Sequence, residues 1–432
     1  MDLKFIRQNP EIFTQAIEQK RVNLDLSKLL ELDRAVLDLK RQMQVLEEER
    51  NANAKKMPKA LPDERAGLIT RGKAISGEMD PLKPKITLSE EELQKLLWLV
   101  PTIPSSDAPL GRSEDDNVEI KKWGSIPEFD FKPLDHVQIL EKNDWAELER
   151  IAQVAGSRSY SLKNDLVLLE MALIRFTMDR LKGKGFTLIT VPSLAREAAF
   201  FGTGHFPTGK DQAYSLPEDQ LYLAGTAEVL LNGLHTGETL EELKLPILYA
   251  GFSPCFRREA GSAGRDVRGL VRVHQFFKVE QYILCKNDPA ESEKWHCFLL
   301  QTSEEIVQAL ELPYRVVDVC TGDMGPGKYR QYDIESWVPS EQKYRETHSC
   351  SNLHDWQARR AQLRYRAQDG AMKFCHTLNN TAIATPRILV PFLENHQQAD
   401  GSIKLPEAIQ PYMGGMKSMR GTLEGASPGS KK

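Results

Sequence analysis

The sequence predicts an α+β protein in two parts, an N-terminal antiparallel pair of long helices followed by a larger domain of helices and short strands. Two patterns predict it. Apolar residues recur at alternating spacings of three and four between Leu29 and Val100, the seam of a coiled coil. Beyond Asn117 the pattern changes to helical stretches mixed with short runs of alternating polarity, continuing to about Met413. The length agrees with this division: 432 residues suggest two or three domains, and 41% hydrophobic residues are enough for a sizeable core.

The first arm runs through Leu29, Leu32, Val36, Leu39, Met43 and Leu46, and continues weakly through Arg50, Asn53 and Met57. A helix of that extent is roughly 45 Å long. Pro58 and Pro62 bracket a turn. The return seam is Leu68, Gly72, Ile75, Met79, Leu82, Ile86, Ser89, Leu93, Leu96 and Val100. Pro81 and Pro84 lie inside it, and a proline in a helix interior removes a hydrogen bond at a cost of about 3 kcal/mol. The expectation is a return helix broken over residues 80–88 and restarted by a capping box at Ser89-Glu90-Glu91-Glu92. Pro101 to Asn117 reads as a linker. The expected domains are therefore residues 1–110 with an arm at about 27–100, a second domain over 111–414, and a disordered tail over 415–432, rich in Gly, Ser and Lys.

Charge and cysteine content narrow the function. With 57 Lys and Arg against 61 Asp and Glu, bulk positive charge is excluded as a way of holding nucleic acid, though a local basic patch is not. The six cysteines, at 255, 285, 297, 320, 350 and 375, show no metal-ligand spacing, so no structural metal is expected. Met1-Asp2-Leu3-Lys4 opens an amphipathic stretch and not an apolar leader, and no apolar run is long enough to span a membrane. A cytoplasmic protein with reduced thiols and no membrane partner is the expectation.

The chemistry concentrates in Phe256-Arg257-Arg258-Glu259, a Gly-rich loop from Ala260 to Gly269, and the run Leu270 to Glu280. Read as a strand, that run puts Val271, Val273, Phe277 and Val279 on one face and Arg272, His274, Phe276, Lys278 and Glu280 on the other. One face can pack on a core. The other suits a nucleotide, since Arg grips phosphate oxygens in pairs and an aromatic ring offers a stacking plane. A surface hairpin whose charges pair with each other accounts for the spacing equally well.

These residues carry a resemblance. Phe256-Arg257-x-Glu259 with the Arg272-x-x-x-Phe276 strand resembles motif 2 of the class II aminoacyl-tRNA synthetases. The helix Leu166 to Gly183 with Lys184 to Pro192 resembles motif 1, and Asn379 to Arg387 with the helix after it resembles motif 3. Within the class, the chain resembles bacterial-type seryl-tRNA synthetases from residue 1 to about 414. That narrowing rests on the helical hairpin, Thr226-Ala227-Glu228, and the loop Glu259-Ala260-Gly261-Ser262-x-Gly264-Arg265-Asp266. It rests equally on Ser349-Cys350-Ser351-Asn352, Gln357-Ala358-Arg359-Arg360 and Leu393-Glu394-Asn395. The resemblance implies an antiparallel catalytic sheet of six or seven strands flanked by helices, a homodimer formed through motif 1, and an arm that binds tRNA. It also implies activation of L-serine by ATP with Mg2+ to give seryl-adenylate. Serine would then pass to the 3′ end of tRNA(Ser) and, where present, tRNA(Sec).

Roles follow from the resemblance residue by residue. Arg257, Glu259 and Arg387 are the expected catalytic groups, with Arg257 on the α-phosphate and Arg387 near the γ-phosphate. Further ATP contacts are expected from Arg258, Arg272, Val273, Phe276 stacked on adenine, Glu346, Thr347, His348 and Ser349. Glu346 and Ser349 would also hold Mg2+, although strand parity alone puts them on opposite faces. Thr226, Ala227, Glu228, Glu280, Asn379 and Thr381 are the expected serine pocket. Thr385 as a helix cap and Pro386 at the first helical position would seat Arg387 at a helix N-terminus. Asn380, Ala382 and Pro386 stand where glycines are common in the class, and Asn380 tolerates left-handed backbone.

Other features have plainer readings. Most two-heptad hairpins serve oligomerisation or structure, and only the resemblance favours tRNA here, with Lys28, Arg34, Lys40, Arg41, Lys55, Lys56 and Lys59 as the arm's cations. His274, His354 and His376 are expected to be structural, a role that also fits His348, while Arg359, Arg360, Arg364 and Arg366 read as a helix surface. Two rivals to a tRNA ligase are a paralogue that charges a carrier protein and a non-catalytic synthetase-like scaffold.

Overall fold

Residues 2–261, 264 and 268–421 are described by the structure, a computed structural model. They divide into two compact units, Met1–Ile103 and Pro104–Lys432. In the first unit two short helices, α1 (Leu3–Gln8) and α2 (Pro10–Gln19), precede the long α3 (Leu26–Lys56). Asp25 caps α3, its carboxylate accepting from the Lys28 amide at 3.0 Å. After a single 3-10 turn at Met57–Lys59 the chain returns as α4 (Pro62–Met79) and α5 (Leu82–Leu97). The pairing is antiparallel: Asn53 Nδ2 donates to Leu68 O at 2.8 Å, and Arg71 grips both carboxylate oxygens of Glu49 at 2.6 and 2.7 Å. At its base the seam joins a small core in which Leu29, Val36 and Leu93 are buried with Ile6, Phe13 and Val100.

The break in the return helix is narrower than expected. Only Asp80 and Pro81 fall outside helix, and Pro84 is the third residue of α5. Amides in a helix's first turn have no intrahelical acceptor, so Pro84 removes no hydrogen bond there. Ser89-Glu90-Glu91-Glu92 accordingly continues α5 and restarts nothing.

The second unit is built on a sheet of eight strands among the described residues. In chain order they are β1 (Val118–Trp123), β2 (Thr187–Thr190), β3 (Ile247–Phe256) and β4 (Gln275–Cys285), then β5 (Tyr314–Asp318), β6 (Arg330–Val338), β7 (Lys343–Asn352) and β8 (His376–Thr385). Their spatial order is β1-β5-β6-β7-β8-β4-β3-β2, antiparallel throughout except for β2 beside β3. Eight exceeds the six or seven expected. The edge strand β1 is exposed along its whole length, so it has no buried face to mark it in the sequence.

Helix α6 (Asp165–Gly183) places Leu166, Leu169, Leu173 and Phe176 on one buried stripe at 3-4-3 spacing. These residues share a core with Leu299 and Ile306 of α7 (Pro289–Ala309), Val279 and Ile283 of β4, and Ile383 of β8. Because strand side chains alternate, Phe276, Lys278 and Glu280 point to the other face of the sheet. No helix among the described residues is long and apolar enough to cross a membrane.

The expected disorder over 415–432 does not hold for its first residues. Ser418–Met419 pairs with Ile403–Lys404, and Met419 is fully buried in the main core. Composition missed this because one apolar side chain anchors a short segment whose average is polar. Residues 422–432 lie outside the described residues, as do Ser262, Arg265 and Asp266 of the motif 2 loop. Met419→Ala is expected to cost about 2–5 kcal/mol, read as a lower urea midpoint at unchanged slope. An unchanged midpoint would contradict the burial.

Candidate active site

A cavity of about 300 Å³ opens on the sheet face away from that core. Arg257, Glu259, Arg272, Val273, Phe276, Glu346, Thr347, Ser349 and Arg387 line it, as do Thr226, Glu228, Glu280, Asn379 and Thr381. Three of the expected site residues do not. Ala227 is fully buried in a core cluster with Leu231. Arg258 follows the end of β3, where the pleat is lost, and its guanidinium donates to Asp211 O at 3.2 Å. His348 is buried with its Nε2 against Ala382 O at 3.1 Å, and burial pushes its ring down to about 4. It is a structural histidine.

The nucleotide half forms where β3 ends. The Arg257 amide donates to His274 O at 2.9 Å, and the Arg257 guanidinium stands 5.2 Å from the Phe276 ring centroid. Glu259 adopts left-handed backbone, φ 53°, and its carboxylate accepts from Arg272 Nη1 at 2.7 Å. The strand after the loop begins only at Gln275, so the parity expected for Val271 and Val273 fails. Both line the cavity, and Val273 is buried with Phe276 and Cys255, not on the opposite face.

Glu346 and Ser349 reach the same cavity because the ladder slips between them. Ile334 faces His348, but Glu335 faces Glu346, so Thr347 is the extra residue of a β-bulge. A bulge shifts parity by one, which is why simple alternation misplaced the pair. Behind Ser349, Gln331 Nε2 bonds Ser349 Oγ at 3.0 Å and Asp333 Oδ1 at 2.8 Å. Burial, then the charge of Glu346, holds the Asp333 carboxyl well above the usual carboxylate range.

Motif 3 also differs from expectation. Strand β8 runs through Thr385, which pairs with Phe277, so Thr385 ends a strand and caps nothing. Helix α8 (Leu389–His396) starts after a turn, with Ile388 at its N-cap. Arg387 therefore sits in the turn, its Nη1 3.7 Å from Glu346 Oε2. Asn380 lies in regular strand and not in left-handed backbone; its amide donates to Leu299 O at 2.8 Å and Ser303 Oγ at 2.9 Å, tying β8 to α7.

The other half of the cavity is a buried polar network. Lys278 Nζ donates to Thr226 Oγ1 at 2.8 Å and pairs with the Glu280 carboxylate. Glu228 Oε1 accepts from Gln357 Nε2 at 2.6 Å and Asn379 Nδ2 at 2.8 Å. Burial raises the pKa of both Glu228 and Glu280, while nearby cations, Lys278 foremost among them, oppose the shift at Glu280. Sequence reasoning put Lys278 on the functional face without giving it a role, and it left out Lys328, His205 and Trp356, which also line the cavity. Lys278 was legible, since it alternates in phase with Phe276 and Glu280. Lys328 and His205 come from distant loops and carry no local signal. Arg360 is a further correction: it is buried, 3.7 Å from the Trp356 ring centroid, and burial lowers its pKa to about 9.

Residues 1–104 match the family model for the seryl-tRNA synthetase N-terminal domain, and residues 214–396 match that for the tRNA synthetase class II core domain (G, H, P, S and T). A serine–tRNA ligase of Deinococcus radiodurans is 56% identical over 415 residues, covering 96% of this chain and 98% of that one. The chain belongs to the seryl-tRNA synthetase family. Another family member, the serine–tRNA ligase of Dictyoglomus turgidum, is 43% identical over 418 residues, 96% of this chain and 98% of its own. The fold of the family is equally plain in solved structures. Seryl-tRNA synthetase from Pyrococcus horikoshii, complexed with ATP, matches with a TM-score of 0.90 at 37% identity, covering 98% of this chain and 100% of that chain. Cytoplasmic serine–tRNA ligase from Naegleria fowleri, in complex with AMP, gives 0.83 at 29% identity over 96% of each chain.

Proposed function

We infer that the chain is a serine–tRNA ligase that binds ATP, L-serine and tRNA(Ser). The observation that carries this is a single cavity joining an Arg257–Phe276 platform to a pocket built on Thr226, Lys278 and Glu280. In the first step a serine carboxylate oxygen attacks the α-phosphorus of ATP, the bond to the bridging oxygen breaks, and pyrophosphate leaves. In the second a ribose hydroxyl at the tRNA 3′ end attacks the carbonyl carbon of seryl-adenylate and AMP departs. Neither step needs a nucleophilic side chain; both need positioning and neutralised charge.

The roles we propose are those the family resemblance implies, and the layout of the cavity supports them. Phe276 with Val273 takes the adenine, Arg257 the α-phosphate and Arg387 the γ-phosphate, while Glu259 holds Arg272 in place. Glu280 accepts the serine hydroxyl; Thr226, Glu228, Asn379 and Thr381 enclose the rest. Losing the hydroxyl bond leaves a buried carboxylate unmatched, which rejects alanine. The oxygen donors Glu346 and Ser349 fit Mg2+, which keeps most of its waters and favours carboxylate and phosphate oxygens. Asp333 lies buried behind them, linked through Gln331 to Ser349. Bound with ATP, such a cation would neutralise phosphate charge.

The division of labour we propose is a tRNA-binding domain over residues 1–110, with its arm at about 27–100, and a catalytic domain over 111–414. A homodimer through α6 is supported by Val167, Leu168 and Met171, apolar and exposed beside its buried stripe. The proposal extends to tRNA(Sec) where that tRNA is present, and to the cytoplasm, where the substrates of translation are found. Incubated with ATP, Mg2+ and labelled serine, the protein is expected to charge tRNA(Ser). Adenylate formation without tRNA charging would point to the carrier-protein paralogue.

A further inference from the structure

We propose that Gln357 is a positioning residue for serine, its side-chain amide holding the Glu228 carboxylate in place for the ammonium of the bound substrate. The proposal rests on the serine–tRNA ligase reading above, in which Glu280 takes the hydroxyl and leaves Glu228 as the pocket's carboxylate for the positive charge. Gln357 stands behind the cavity lining, fully buried near the start of the short helix Trp356–Ala361. Three segments meet on its amide. Its Nε2 donates to Glu228 Oε1 at 2.6 Å and to Thr203 O at 3.1 Å, and its Oε1 accepts from Thr377 Oγ1 at 2.8 Å. The orientation is forced, because a carboxylate and a backbone carbonyl can only accept. Turning the amide over would set its oxygen against both.

The arrangement is built around a carboxylate. Thr377 and Asn379 lie two apart on β8 and share a face. Thr377 holds the amide oxygen of Gln357, and Asn379 Nδ2 donates to Glu228 Oε1 at 2.8 Å. Two N–H donors therefore converge on Oε1, while Oε2 has no hydrogen bond among the described residues. Burial raises the pKa of Glu228, and Gln357 opposes that shift ahead of the charges of Lys278, Lys328 and Arg257. Glu280 and Tyr282 of β4 are its acid neighbours, and burial brings His205, on the Thr203 loop, down to about 4. Donors to the charged form of a carboxylate favour that form. The amide thus both aims the carboxylate and keeps it charged, and through Thr203 O it ties both to a loop that lines the cavity.

Gln357→Met keeps the volume and removes both donors. It is expected to raise the KM for serine in pyrophosphate exchange by roughly 10- to 100-fold, the loss of a hydrogen bond to a charged group, with the KM for ATP unchanged. The acid limb of kcat/KM for serine should also move to higher pH, since Glu228 then takes up a proton more readily. A rise in KM of the same size at every pH, or no rise, overturns the proposal. Thr377→Val removes only the hydroxyl behind the amide and should give a smaller rise of the same kind. If the Met variant loses ATP binding as well, this second variant decides, and an unchanged KM for serine in it overturns the assignment. Absence of serine-dependent exchange in the wild type would instead overturn the ligase reading, and the Gln357 role with it.

Discussion

Glu280→Ala is expected to abolish serine activation while ATP still binds. The carboxylate is 2% exposed, on the amino-acid half of the cavity, within reach of Lys278 and of Thr226 Oγ1 at 3.4 Å. Its assigned task is to accept the substrate hydroxyl, and a site built for such a bond loses roughly 100-fold or more in serine kcat/KM when the acceptor goes. The substitution also strands the Lys278 ammonium, and breaking a buried pair costs about 3–5 kcal/mol of stability. Glu280→Gln, which keeps the shape and one acceptor oxygen, separates the two effects. The expected pattern is loss of serine turnover in the Ala variant and a smaller loss in the Gln variant, with nucleotide binding retained in both. Unchanged serine kinetics in the Ala variant would remove Glu280 from the pocket.

Deleting residues 29–99 is expected to abolish tRNA charging and spare adenylate formation. Each of the two units has its own core, the first around Leu29, Leu93 and Val100 and the second around α6, α7 and the sheet. The cavity residues all belong to the second unit. The arm's cations are interleaved with acidic groups, and Arg71 is paired with Glu49 and Glu78. Such an arm suits recognition of RNA by shape with scattered phosphate contacts. A shorter deletion of residues 40–85 keeps Leu29, Val36 and Leu93, so it tests the arm without opening its base. Pyrophosphate exchange and tRNA charging falling together would make the arm structural.

Much of this was legible in the sequence because the signals are local. The seam from Leu29 to Leu46 lies on one uninterrupted helix, and the stripe Leu166, Leu169, Leu173, Phe176 marks α6 by spacing alone. From Phe276 onward the period of two is obeyed, and Phe276, Lys278 and Glu280 share the cavity face. What failed depended on partners far away in the chain. The bulge at Thr347 exists only because β6 faces it, and Thr385 stays in strand because it pairs with Phe277. The prolines of the return arm were misjudged for a different reason: the cost of Pro84 depends on where its helix starts. Arg360 read as surface because a cation stacked on a buried ring has no signature in the one-dimensional pattern.

The most direct test of the central claim is exchange of labelled pyrophosphate into ATP across a panel of amino acids. Serine should support it alone: alanine fails for want of the hydroxyl, and threonine is excluded by its extra methyl, a discrimination worth about 1–3 kcal/mol unless the clash is hard. No exchange with serine, or stronger exchange with another amino acid, would contradict the account.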